Sequence, residues 1–293
     1  MQANAVLITG ASGLLGSAIA KRLSSICTVI PLSHSNTASG MQAVDLRDNQ
    51  QIESLDDLDW DLIIHCAAFR DPDFCETNKD AARQLNALVP QALANMANKR
   101  KARMVHISTD YVFDGKNAPY SEDSTPAPIN VYGITKLEAE QLVSAACPDS
   151  TIVRIPVLYG DSPSTTPSPF LDKVINSLKA KTPFEMDNHT VRRPTCTADV
   201  AEAIAFLIDS DFNGTIHASA QEKATNYTWA KYVAELIGAD SSLVSPMADP
   251  IRRAAPRPDD STLLSDLLKE IGGPAPRPFS EALPSLKKIT NMQ

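Results

Sequence analysis

The sequence predicts an α/β protein: a doubly wound parallel sheet of the Rossmann type, followed by a smaller C-terminal α/β lobe. Three observations predict it. Short apolar runs alternate with stretches of helical spacing from residue 5 to about 158, the pattern of strands covered on both faces and joined by crossover helices. Three of the 11 glycines fall within residues 10–16, directly after the first apolar run. Of 21 prolines only three precede residue 119, so regular structure is expected first and irregular backbone later.

Ala5–Thr9 (AVLIT) is an apolar run closed by Gly10 and suits a buried strand. Leu14–Leu23 carries apolar residues at 14, 15, 18, 19 and 23, the spacing of one helix face. Residues 27–32 (CTVIPL) and 41–44 read as the next strands, the second ending at Asp45. Residues 62–66 (LIIHC) form a strand, 80–98 a long helix, 104–107 (MVHI) a strand, Val131–Ala146 a helix and 152–155 (IVRI) a strand. Beyond Gly160 the alternation lapses. Residues 161–169 hold three prolines and read as a loop, whereas 199–209 (DVAEAIAFLID) and 229–237 are helical. The stretch from Ser245 holds eight prolines and reads as short elements joined by fixed turns. This gives a first domain over 1–158 and a smaller lobe over 159–293, with a helix at 197–210 packing back on the sheet.

With 27 Lys+Arg against 35 Asp+Glu, the 293 residues carry a formal charge of −8. That balance argues against a sequence-independent nucleic-acid or membrane-surface binder, which needs a basic face. No apolar run reaches the ~18 residues of a membrane span. The N-terminus has no basic segment ahead of its apolar run and does not read as a signal peptide. The five cysteines are scattered without a CxxC pair and suit a reducing compartment, so the cytoplasm is the expected location.

The turn Gly10-Ala11-Ser12-Gly13-Leu14-Leu15-Gly16 joins a strand to a helix. There glycines permit a tight turn, close approach of backbone to a pyrophosphate, and close packing of helix on strand. The helix N-terminus attracts phosphate through its free N–H groups. Gly10, Ser12, Gly13, Leu14, Leu15 and Gly16 are therefore expected to hold a dinucleotide.

A second pattern carries chemistry. Tyr132 and Lys136 stand four residues apart on one helix face. A positive charge beside a phenol favours the phenolate and lowers its pKa, which suits a proton donor to a carbonyl. Upstream, after the strand MVHI, lies Ser108-Thr109-Asp110-Tyr111-Val112-Phe113-Asp114-Gly115, whose hydroxyls sit where they can polarise a ketone oxygen.

Together the glycine turn, HISTDYVFDG, NVYGITK and RIPVLYG resemble the extended short-chain dehydrogenase/reductases, in particular their dTDP-4-dehydrorhamnose reductase-like branch. The same runs resemble the regulatory β subunit of methionine adenosyltransferase, a relative of those reductases. The resemblance spans residues 5 to about 270. It implies Thr109 as the carbonyl-polarising hydroxyl with Asp110 beside it, Tyr132 as proton donor, and Lys136 on the nicotinamide ribose. It implies Cys66, Ala67, Ala68 and Arg70 along the cofactor, Asn86 on the helix behind it, Pro156 and Leu158 near the nicotinamide, and Asp45 and Leu46 at the adenine. The substrate it implies is a nucleotide sugar carrying a keto group. A regulatory subunit of a methionine adenosyltransferase-like partner is the alternative, although KKITNMQ at 287–293 offers no aromatic residue to anchor in one. A homodimer is a candidate assembly.

The second strand ends in Ser33-His34-Ser35 without an acid. An acid there would select NAD through the ribose 2′-hydroxyl, so NADP is expected, with NAD as the alternative and Ser33 and His34 as phosphate donors. His106 and His217 lie in apolar strand-like runs and read as core. Among the basic residues of the second lobe, Arg192 or Arg193 is read as meeting a diphosphate or the sugar, and Arg252, Arg253 and Arg257 form a second basic cluster. Arg193 and Arg257 are the substrate candidates, because arginine forks suit phosphates. No HExxH, metal-spaced Cys/His set or GxSxG occurs, so neither a metal nor a hydrolase elbow is expected.

Overall fold

The computed structural model describes residues 4–35, 40–161 and 169–291; the loop expected at 161–169 falls almost wholly outside these. The first half runs β1 (Ala5–Thr9), α1 (Leu14–Leu23), β2 (Thr28–Ser33), β3 (Gln42–Ala43), α2 (Asn49–Glu53), β4 (Leu62–His65), α3 (Pro72–Thr77), α4 (Lys79–Arg83), α5 (Val89–Arg100), β5 (Arg103–Thr109), α6 (Val131–Ala146) and β6 (Thr151–Ile155). The second half adds β7 (Leu158–Tyr159), α7 (Pro169–Lys179), β8 (Phe184–Met186), β9 (Val191–Arg192), β10 (Thr195–Cys196), α8 (Thr197–Asp209), β11 (Gly214–His217), β12 (Ala224–Thr225), α9 (Asn226–Leu236), β13 (Val244–Pro246), α10 (Asp266–Glu270), α11 (Phe279–Ala282) and α12 (Lys287–Thr290).

Seven strands form one parallel sheet in the order β11-β6-β5-β4-β1-β2-β3. The strand order reverses between β1 and β4, and ligands of such sheets bind beyond the strand ends at that point. One face buries Val6, Ile8, Ile64, Ile107 and Val153 under α1 and α8. The other buries Leu7, Ile63, Met104 and Ile152 under residues of α5 and α6 such as Leu93 and Val143. Helix α8 lies beside α1, tied by Arg22–Glu202 at 2.7 Å. The sequence reading left 214–217 in the second lobe, but β11 completes the sheet edge by pairing with β6. A separate apolar core joins Tyr159, Leu171, Trp229 and Phe279 in the smaller lobe.

The long helix expected at 80–98 is not uniform. Between α4 and α5 the residues Gln84–Leu88 form a π-helical turn. Such bulges re-aim side chains and recur at functional sites. Here the bulge carries Asn86, fully buried, whose Oδ1 accepts from the Phe69 N–H (2.8 Å) while its Nδ2 donates to the Phe69 carbonyl (2.9 Å). The side chain thus pins the loop after β4 from behind. Helix α6 starts as firmly: Asn130 caps the Gly133 N–H (2.8 Å) and also donates to the Pro256 carbonyl (2.8 Å).

Candidate active site

At the carboxyl ends of β1, β2, β4, β5 and β6 lies a cleft of about 960 Å³, at the upper end of the usual volume for ligand sites. It runs from the glycine turn to the arginines of the smaller lobe.

The glycine turn is built flush. Gly10 has φ +66°, and a Cβ there would stand 2.9 Å from the Ala67 nitrogen. A Cβ on Gly16 would meet the Gly10 carbonyl oxygen at 2.2 Å, so only glycine lets α1 approach the strand end this closely. Helix α1 has Gly13 as its N-cap, with no side-chain cap and no acidic residue in its first turn. Its N-terminus faces the cleft and suits a phosphate. A dinucleotide fits this wall.

At the outer end, His34, Asp45 and Leu46 line the cleft together with Arg47, which the sequence reading missed. Arg47 clamps Asp45 through Nε (2.9 Å) and Nη2 (2.8 Å), and Nη2 also lies 3.0 Å from His34 Nε2. These bonds hold the Asp45 carboxyl well below the usual carboxylate range. The signal was available: an arginine two residues beyond an acid that ends a strand. Ser33 sits in the same wall, and Cys66, Ala67, Ala68 and Arg70 continue it inward. Asn86 does not line the cleft; it acts on this wall only through Phe69.

Tyr132, Lys136, Thr109 and Asp110 share the inner part with Pro156 and Leu158. The Thr109 hydroxyl donates to Asp110 Oδ1 (3.1 Å) and accepts from the Tyr111 N–H (3.2 Å). The other Asp110 oxygen accepts from Ser261. Burial raises the Asp110 carboxyl, with Arg192 opposing. The phenol of Tyr132 does not follow the expectation of a lowered pKa. Burial pushes it well above the ordinary tyrosine value, and the charges of Asp110 and Tyr111 add to this, against a lowering interaction with Thr109. Burial is the dominant cause, and Lys136 is not among the groups that offset it. Lys136 Nζ donates to the Ile107 carbonyl (2.6 Å) and lies 3.0 Å from His106 Nε2. Burial lowers Lys136 to about 8, opposed by Glu140 and Cys66.

At the far end Arg192, Arg253, Arg257 and His189 line the cleft. Arg193 does not. It is buried, and it donates to the Leu263 carbonyl instead. Arg192 ends β9 and takes the cleft side, where its guanidinium stacks on Tyr111, 5.6 Å from the ring centre; Arg193 lies just beyond the strand. Arg257 reaches the cleft but is already paired with Asp73 (3.0 Å), which also accepts the Ala255 N–H (2.9 Å). Gly115 (φ +83°) lets this C-terminal segment pass, since a Cβ there would stand 2.7 Å from the Asp259 nitrogen.

Among the described residues no helix is long and apolar enough to cross a membrane. Comparison with known proteins agrees with the geometry. The chain is 36% identical over 284 residues to methionine adenosyltransferase 2 subunit beta of Rattus norvegicus, covering 94% of this chain and 84% of that one. A dTDP-4-dehydrorhamnose reductase structure from Clostridium acetobutylicum superposes with a TM-score of 0.88 at 32% identity, covering 98% of this chain and 100% of that one. A dTDP-4-dehydrorhamnose reductase from Bacillus anthracis, solved in complex with NADP, gives a TM-score of 0.88 at 28% identity over 98% and 99%. The family described as RmlD substrate binding domain matches residues 4–291, and the chain belongs to that family.

Proposed function

We propose that this protein is an NAD(P)H-dependent reductase of a keto group on a nucleotide-linked deoxysugar, of the dTDP-4-dehydrorhamnose reductase type, with NADP preferred to NAD. The observation that carries the reading is the convergence of Thr109, Tyr132 and Lys136 on one cleft, with the glycine turn at one end and Arg192 at the other. A bound reduced nicotinamide supplies hydride. The residues of the chain supply the rest. Tyr132 stays protonated across the neutral range, so its phenol holds the proton that a developing alkoxide takes up. Thr109 turns its hydroxyl from Asp110 toward the same oxygen. Lys136, below about pH 8, presents a cation to the ribose. Gly10, Ser12, Gly13, Leu14, Leu15 and Gly16 bind the pyrophosphate. Ser33, His34 and Arg47 face the 2′ position, with Asp45 and Leu46 at the adenine. Arg192, Arg253 and Arg257 face the anionic end of the substrate.

The cofactor preference is small in this reading, because Asp45 already occupies Arg47. A second reading, a regulatory subunit of a methionine adenosyltransferase-like partner, draws on the 36% identity to such a subunit; cofactor binding is common to both. One pair of measurements separates them. Thermal unfolding with NADPH and NADH reports binding, since a ligand of the native state raises the midpoint. NADPH oxidation with dTDP-4-dehydrorhamnose reports turnover. Stabilisation together with oxidation supports the reductase. Stabilisation without oxidation of any keto nucleotide sugar, joined by altered kinetics of an added methionine adenosyltransferase, supports the subunit.

A further inference from the structure

We propose that His106 is a positioning residue for Lys136: its Nε2 accepts one N–H of the ammonium from within the sheet, so that a single N–H is left to face the cleft. The catalytic consequence rests on the reductase reading; the hydrogen-bond arrangement does not.

The geometry begins with register. On β5, His106 and Ser108 share the face that α6 covers, and on α6 Lys136 and Glu140 lie one turn apart. The two spacings match in two rungs: Lys136 meets His106 at 3.0 Å, and Ser108 donates to Glu140. An ammonium has three donors. One is taken by the Ile107 carbonyl (2.6 Å) and one by His106, and Lys136 lines the cleft with what remains.

His106 is itself held in a polar row across the sheet. Register places Thr9 beside His65 and His65 beside His106. Thr9 Oγ1 accepts the Cys66 N–H (3.2 Å) and the Ala67 N–H (3.4 Å), which occupy both lone pairs, so its own hydrogen turns to His65 Nδ1 (2.8 Å). The rings of His65 and His106 stack at 5.5 Å. Both are fully or almost fully buried, and burial with the nearby Lys136 charge holds both imidazoles neutral. A neutral imidazole facing an ammonium is an acceptor at that nitrogen, so its proton sits on Nδ1. A protonated one would repel Lys136. The titratable groups that interact with Lys136 are then His106 from β5, His65 and the Cys66 thiol from the end of β4, and Glu140 from its own helix. Glu140 is neutralised by a buried two-point pair with Arg154 (2.9 and 2.7 Å). His106 is thus a direct, uncharged partner that favours the charged amine in a site that otherwise disfavours it.

The test is NMR titration of the ligand-free protein labelled with ¹³C at lysine Cε and ¹⁵N in the histidine rings, with Lys136→Arg used to assign Lys136. In the unmodified protein Lys136 titrates near 8, and His106 shows the Nδ1–H tautomer without titrating. His106→Phe, which removes the acceptor, lowers the Lys136 midpoint by about one unit or more. His106→Gln, whose amide oxygen accepts, returns it to within about half a unit. The basic limb of kcat moves with the same midpoints. A Lys136 midpoint unchanged in His106→Phe overturns the proposal, as does an Nε2–H or charged His106 in the unmodified protein. The ring tautomer decides the matter should His106→Phe fail to fold. Absence of turnover would sink the reductase reading while leaving these titrations readable.

Discussion

The two ends of the cleft are made by different means. The end proposed for the cofactor is walled by backbone: a glycine turn, a helix N-terminus without a side-chain cap and the loop pinned by Asn86. The end proposed for the substrate is walled by arginine side chains held by partners distant in sequence. Arg257 is paired with Asp73, 184 positions away, and Arg192 donates to the Pro258 carbonyl, 66 positions away. The backbone end is made mostly from residues near in sequence, whereas the arginine end needs contacts 66 to 184 positions apart.

This difference can be broken most severely at Gly16. Gly16→Val places a branched side chain where even a Cβ would be 2.2 Å from the Gly10 oxygen. The turn must shift, at a cost of about 1–3 kcal/mol in stability, and NADPH affinity measured by calorimetry falls below detection. Unchanged affinity would show that the turn is not the binding element.

The next effect belongs to both halves. His65, His106 and His217 are buried and neutral, with His65 and His217 lowered to about 3 by burial. Their folded pKa values lie below the unfolded ~6.5, so each contributes stability that is fully present above about pH 6.5 and lost as pH falls, for His65 and His217 on the way to about 3. Three protons bound only on unfolding give a slope of about 4 kcal/mol per pH unit once all three titrate in the unfolded chain. Urea unfolding from pH 7 to 5 measures this. A flat profile would mean that the histidines are already charged in the fold.

These two effects show what could be read from sequence. The glycine turn, the strand-end hydroxyl and the Tyr132/Lys136 pair were legible because their chemistry lies within one loop or one helical turn. The parallel sheet was legible because strands covered on both faces are uniformly apolar. The choice between Arg192 and Arg193 was not, since it depends on how the chain leaves a two-residue strand, with Arg192 lining the cleft and Arg193 bonded to the Leu263 carbonyl. The raised phenol of Tyr132 was not either, because it depends on how deeply the folded chain buries it. Asp73 gives no local signal at all; only its distant partners reveal it.

Smaller effects sharpen the contrast. Arg192→Met raises KM for the nucleotide sugar about tenfold, the loss of roughly one charge-assisted bond, with cofactor affinity unchanged. Arg193→Met lowers the unfolding midpoint and leaves KM alone. Steady-state kinetics on the two variants reads this directly, and the reverse pattern would return the substrate role to Arg193. The smallest effect is at Arg47, exposed and already paired with Asp45. Arg47→Ala changes the NADPH-to-NADH preference by less than about tenfold, measured as a ratio of kcat/KM values.

The central claim is that the cleft reduces a ketone with Tyr132 as proton donor, and Tyr132→Phe tests it most directly. The account predicts NADPH oxidation with the keto nucleotide sugar slower by about 10²–10⁴-fold, with thermal stabilisation by NADPH intact. Oxidation at the unmodified rate in that variant would contradict it.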